Sequence, residues 1–247
     1  KVNSGGRNMQ GFDIYNDIIF QCCDGGYCRT YDLNTGALIA DFPLGSNVST
    51  NHAGGVNFGL EFPDGSEYPA LYVSGDLTTK DCYVEKVTPN RSELIQTIHF
   101  DLDNNSSFNG AQVVIDKDRK RLIYQQREST SISDVDNKFH IYEFDIPALD
   151  DSEVILTSSD VLCEYVLTHY SPYYQGACIH NGQFLQTHGY AVDKTGVKVG
   201  LLFFNMDITD NRDLITRIKF DGLIDYEPQG VTVYNNRLIM SFVNSTY

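Results

Sequence analysis

Apolar and polar residues alternate along nearly the whole chain in short runs, the period of a strand with one buried face rather than of a helix. The first runs fall at 11–15, 18–22, 27–33 and 37–42. Asn34-Thr35-Gly36 joins the last two, with glycine where a tight turn needs a positive φ. The same four-run phrase returns at 55–61, 70–74, 82–87 and 93–100, then at 111–116, 121–126, 139–145 and 152–157. It comes again at 177–180, 183–187, 200–206 and 213–220, and a fifth phrase holds only 231–234 and 237–242. A helical pattern is confined to 158–167, which predicts a short helix within the longest connection, 145–173. Residues 128–138 are polar and poor in strand formers, and read as a loop.

Each phrase opens with the same words: Gln10-Gly11, Gly54-Gly55, Asn109-Gly110, Gln175-Gly176 and Gln229-Gly230. An apolar beat follows every time, as in Phe12 and Ile14 or Val231 and Val233. The glycines at 11, 55, 110, 176 and 230 are spaced by 44, 55, 66 and 54 residues. A loose repeat of about 40–50 residues built from short strands marks a β-propeller. The expected fold is therefore all-β: a five-bladed β-propeller with four-stranded antiparallel blades and an incomplete last blade. It forms one domain over 1–247, with repeats near 9–45, 52–101, 108–160, 174–221 and 228–247. Closed propellers complete the last blade with a strand from the other terminus. Lys1 to Asn8 supply one short strand at most, so the thin fifth repeat points to missing C-terminal residues.

The direction of travel then locates a site. The start of each inner strand, the end of each second strand and the following loop share one side of the disc. Those positions gather Gln10, His52, Asn109, Gln175, Glu227 and Gln229 around the channel mouth, with Cys22, Asp76, Gln126, Arg127 and His188 slightly outside. Loops on that side carry Tyr27, Tyr170, Tyr173, Tyr174, Tyr190 and Tyr226. The opposite face is expected to be plain, made of tight turns such as Tyr15–Asp17, Asp116–Lys120, Asn181-Gly182 and Asn235-Asn236. Amides offer both donors and acceptors, and tyrosine offers a flat apolar surface with a polar tip, as polyhydroxylated ligands require. The amides equally suit a structural ring in which they bond one another around a crowded axis. His52, His188 and Glu227 would orient a ligand, whereas Asp76 and Arg127 fit surface or blade-to-blade ion pairs as well.

Charge narrows the partners. The chain has 18 basic and 33 acidic residues and a net charge of −15, a field that opposes nucleic acid and anionic membrane. No apolar run reaches the roughly 18–20 residues of a membrane span. No cofactor or metal is predicted: the Cys and His spacings match no zinc template, and Asp101-Leu102-Asp103-Asn104-Asn105 lacks the glycine and glutamate of a calcium loop. Of the six cysteines, Cys28 and Cys82 hold equivalent points of the first two repeats, which leaves a disulfide or buried free thiols open. Motifs for a serine-hydrolase elbow, a zinc protease, a P-loop or a dinucleotide site are absent.

Two phrases carry a resemblance. Met9-Gln10-Gly11-Phe12-Asp13-Ile14-Tyr15 and Glu227-Pro228-Gln229-Gly230-Val231 are similar to those of the five-bladed propellers of the teichoic-acid biosynthesis protein C and phage receptor-binding group. Asn51-His52-Ala53 resembles that group's entry to the second blade, with glycines here where the group has Asn-Asp. The stretch 57–100 also looks like exported propellers of gut anaerobes. The resemblance implies a secreted, periplasmic or cell-surface binder of glycans or cell-wall polymers. Plant-type glutaminyl cyclotransferases share the five blades and Gln-Gly openings, but that family's site sets tryptophans beside a glutamate, and this chain has no Trp. The sequence thus favours a non-catalytic binding protein. The alternatives are a propeller hydrolase, lyase or cyclotransferase using Glu227 and a histidine, and a protein-interaction scaffold.

Overall fold

The computed structural model describes residues 7–75, 79–102, 112–127, 139–167, 174–189, 200–206, 214–220 and 227–243. Nearly all regular structure is strand, arranged as small antiparallel sheets. The first sheet orders β1 (Met9–Tyr15), β2 (Ile18–Cys23), β3 (Tyr27–Asp32) and β4 (Leu38–Pro43). The second holds β5 (Val56–Phe58), β6 (Leu71–Ser74), β7 (Asp81–Thr88) and β8 (Arg91–Asp101). The third begins with β9 (Gln112–Asp116), β10 (Arg121–Arg127) and β11 (Phe139–Asp145). After β11, strand β12 (Glu153–Thr157) joins the second sheet, and β13 (Cys163–Leu167) completes the third. The fourth comprises β14 (Tyr174–His180), β15 (Gln183–His188), β16 (Gly200–Asn205) and β17 (Leu214–Lys219). A final pair, β18 (Glu227–Tyr234) and β19 (Arg237–Val243), stands as a two-stranded sheet.

Among the described residues the structure therefore has four full blades rather than five. The path through 145–167 also differs from expectation. β12 does not close the third blade but pairs in parallel with β8, from Glu153 opposite Thr97 to Thr157 opposite Asp101. The helix expected over 158–167 shrinks to a single 3-10 turn at Ser158–Asp160, capped reciprocally by Thr157 and Asp160. Cys163–Leu167 form β13, antiparallel to β11. Short apolar runs fit either element, and here the unpaired edge of β11 decides the matter.

The repeated Gln-Gly word has a physical meaning. The register shifts between Met9 and Phe12, between Tyr174 and Ala177, and between Pro228 and Gly230, so three inner strands carry a bulge at this word. A bulge opposes two residues to one and re-aims the side chains beside it. Glycine is required because neighbouring inner strands approach closely. A Cβ on Gly11 would fall 2.8 Å from the carbonyl oxygen of Gly54, and one on Gly176 would fall 2.7 Å from that of Gln229.

Hydrogen bonds link consecutive inner strands. Phe58 N donates to Asp13 Oδ2 (2.8 Å), Asn57 Nδ2 to the Val113 carbonyl (3.2 Å) and Gln112 Nε2 to the Gln175 carbonyl (2.6 Å). Gln175 Nε2 reaches Glu227 Oε1 (2.5 Å), and Thr232 Oγ1 donates to Asp13 Oδ1 (2.7 Å). Between the sheets lie apolar clusters, one joining Phe20, Phe58 and Leu71, another Tyr72, Phe100, Tyr124 and Phe144, a third Ile123, Phe184 and Phe204. Cys28 packs in the first of these and Cys82 in the second, so the two do not meet, and all six cysteines are free thiols.

Four of the tight turns form as expected, with Asn16, Asp17, Lys120, Asn181, Gly182, Asn235 and Asn236 at positive φ. The face is not uniformly plain, however. The β5–β6 connection makes a longer excursion on which Phe62 is 52% exposed beside Tyr15.

Candidate functional site

On the mouth side, Asp24 organises one cluster. Two glycines at positive φ, Gly25 and Gly26, turn the chain directly after it. Its backbone N–H is held by the Asn8 carbonyl (3.1 Å). Gln10 Nε2 donates to Asp24 Oδ1 at 3.1 Å, and His52 Nδ1 lies 2.6 Å from the same oxygen. Burial pushes the Asp24 carboxyl up, but the hydrogen bond and charge of His52, with hydrogen bonds from Asn8 and Gln10, outweigh it and leave the group below its ordinary value.

The loop that delivers His52 is built by Asn51, which is fully buried. Its Oδ1 accepts from Ala53 N (3.0 Å), while its Nδ2 donates to the carbonyl and hydroxyl of Ser46 (3.1 and 3.0 Å). Ala53 takes φ +55, an uncommon value for a residue with a Cβ, and its carbonyl accepts from Gly11 N at 3.0 Å. The second blade is thereby pinned to the first at the bulge that carries Gln10.

A second cluster lies on β14 and β18. Glu227 and Gln229 are 7% and 5% exposed and flank Pro228, whose fixed φ stiffens the strand entry. Glu227 Oε1 accepts the amide of half-buried Gln175, while Gln229 Oε1 is buried without a partner among the described residues. Gln10, Gln175, Glu227 and Gln229 lie at the starts of the inner strands β1, β14 and β18, and His52 lies in the loop entering β5. Together with Asp24, these groups supply a carboxylate and amides at one cluster, and a carboxylate, an imidazole and an amide at the other.

The other expected residues sit differently. Tyr174 is 5% exposed and its ring packs edge-on to Phe139 at 4.8 Å, so it serves the core rather than a stacking surface. His188 is fully buried against β16, where a Cβ on Gly200 would fall 2.7 Å from its Nε2. Arg127 is the last residue of β10. Asp76 and Asn109 lie outside the described residues, as do Tyr170, Tyr173, Tyr190 and Tyr226. Tyr27 lies under the Arg7 guanidinium, 3.6 Å from its ring centroid.

Sequence reasoning missed Asp24, the shared acceptor for Gln10 and His52; Cys22-Cys23-Asp24-Gly25-Gly26 reads only as a strand running into a turn. It also missed a buried amide network. Gln125 and Gln186 exchange hydrogen bonds reciprocally, each at 3.0 Å, and Gln186 Nε2 also reaches Gln112 Oε1 at 3.1 Å. These three amides bond one another across the third and fourth sheets.

Against solved structures, glutaminyl cyclase from Myxococcus xanthus is similar with a TM-score of 0.55 and 12% identity, over 98% of this chain and 88% of that one. At that identity the likeness is one of fold. No protein-family model matches the sequence, and no curated protein matches it. Among the described residues no helix is long and apolar enough to cross a membrane.

Proposed function

We propose that the protein is a secreted or surface-attached binding protein that takes a glycan or similar polar ligand at the channel mouth of a five-bladed propeller. On this reading the two-stranded sheet is an incomplete fifth blade. The sequence of contacts from β1 through β5, β9, β14 and β18 back to β1 supports it. The observation that carries the binding role is the grouping of Gln10, Asp24 and His52 on one side with Gln175, Glu227 and Gln229 on the other. Carboxylates and amides at a strand-end mouth favour a neutral, hydroxyl-rich or cationic ligand over an anion.

A second reading, cyclisation of a glutaminyl peptide, draws on the fold likeness to the glutaminyl cyclase of Myxococcus xanthus and on Glu227, whose carboxylate already holds a glutamine amide at 2.5 Å. Calorimetric titration with soluble glycans and wall-polymer fragments, with mass spectrometry of the recovered ligand, separates the two. The binding reading expects unchanged ligand and affinity at least tenfold weaker in Gln175→Ala and Glu227→Gln. Loss of ammonia from an N-terminal glutaminyl peptide, abolished in Glu227→Gln, would establish the enzyme reading instead.

A further inference from the structure

Cys22 and Cys28 stand directly opposite each other on β2 and β3. The backbone hydrogen bonds around them fix the kind of position they hold. In an antiparallel pair, opposed residues that exchange backbone bonds alternate with opposed residues that do not. Leu33 N donates to the Asp17 carbonyl on this register, so the bonded positions continue through 19 and 31, 21 and 29, and 23 and 27. The even positions of β3 turn the other way, toward β4. There Asp32 N donates to the Ala37 carbonyl, and the Gly26 carbonyl accepts from Leu44 N. Cys22 and Cys28 are therefore a non-hydrogen-bonded pair, the kind whose side chains approach most closely, with Cα atoms about 4.5 Å apart. A disulfide spans Cα separations of about 4.4–6.8 Å.

Packing agrees with the register. Both thiols are fully buried in the cluster that holds Phe20, Phe58 and Leu71, and they share a side-chain hydrogen bond. That bond, and then burial, pushes the Cys22 thiol well above its ordinary range. Cys23 alternates to the opposite face of the strand, beside Arg29 and Asp41. Cys82 and Cys178 pack in other clusters, and Cys163 lies on β13.

We propose that Cys22 and Cys28 form a disulfide when the chain folds in an oxidising medium, and that this bond locks the turn carrying Asp24. The structure holds the reduced form. Closure needs a disulfide oxidant such as oxidised glutathione. One protein thiolate attacks the oxidant's S–S bond and releases one glutathione thiol; the second cysteine then displaces the other glutathione from the mixed disulfide. Two protein thiols are oxidised to one disulfide, and one oxidant disulfide is reduced to two thiols. The exchange takes place before the blade closes, while both thiols meet solvent, so no path to the buried pair is required. The bond closes a loop over 23–27, where Gly25 and Gly26 take positive φ and Asp24 meets Gln10 and His52. The claim rests on the pairing of β2 with β3 and holds whatever the channel mouth binds.

The test refolds denatured, reduced protein either with a glutathione redox couple or with dithiothreitol, then counts thiols after a second denaturation. The dithiothreitol sample should titrate six, and the glutathione sample should have lost two. A protease that cuts before aspartate releases 17–23 and 24–31, and from the glutathione sample these fragments should stay joined until reduced. Fragmentation between Cys22 and Cys23 should leave the second peptide on Cys22, an assignment that needs no variant. Cys23→Ala should keep the bond. The oxidised protein should melt about 3–8 °C above the reduced one. Six thiols after refolding with glutathione overturn the proposal. A bond that maps to Cys23, or that Cys23→Ala abolishes, overturns it equally, as does an oxidised protein that melts no higher than the reduced one.

Discussion

Asp24 and His52 show how a single interaction is tuned. The Asp24 carboxyl is held below its ordinary value by its partners, so its folded-state pKa is lower than its unfolded one. Such a group stabilises the fold above the unfolded value of about 3.9, and that contribution is lost as pH falls through the folded value. Asp24→Asn should therefore lower stability at neutral pH, with the gap to wild type closing in acid. The pair is partly exposed, which sets the scale near 0.2–1 kcal/mol in urea titrations. The cysteines give a contrasting case. Burial, then the neighbouring Cys22, pushes the Cys23 thiol up to about 12, and Cys82 and Cys178 are raised by burial as well. Only Cys163 is more than slightly accessible, so Ellman's reagent should find about one reactive thiol in the native protein and six after denaturation.

The bulged Gln-Gly word is the element that links sequence to site. It was legible as a repeat, and so were most strands, because a residue pattern of period two survives without any knowledge of partners. Its mechanical role was not legible, because it depends on how near the next inner strand lies. Gly176→Ala would force a Cβ within 2.7 Å of the Gln229 carbonyl oxygen and the Gly230 Cα. A loss of about 1–3 kcal/mol in chemical denaturation is expected, with weaker ligand binding because Gln175 and Glu227 are displaced together. The element that sequence misplaced, 153–167, failed for the opposite reason. Its strands are defined by which sheet edge is free, β8 for one and β11 for the other, and no local pattern encodes that. Tyr174 opens β14 with its ring turned inward against Phe139, a contact between segments 35 residues apart that no local pattern shows.

At the scale of the whole molecule, Asp13 joins three strands. It accepts from Ile14 N and Thr232 Oγ1 at Oδ1 and from Phe58 N at Oδ2, so it ties β1 to β5 and to β18. Asp13→Ala leaves buried donors without partners and should cost at least about 3 kcal/mol, at the upper end of single-site effects. Asp13→Asn should retain part of that stability. Gln10 and Glu227 lie on β1 and β18, two of the strands that Asp13 holds together. The measurement that bears most directly on function is a thermal-shift screen of the purified protein against soluble glycans and wall-polymer fragments, repeated with His52→Ala and Gln175→Ala. A ligand at about 100 times its dissociation constant adds roughly 2.7 kcal/mol, or about 5–10 °C for a chain of this size. The account predicts such a shift in the wild type and its loss in both variants. No shift across the panel, with both variants folded, would contradict a binding role for the channel mouth.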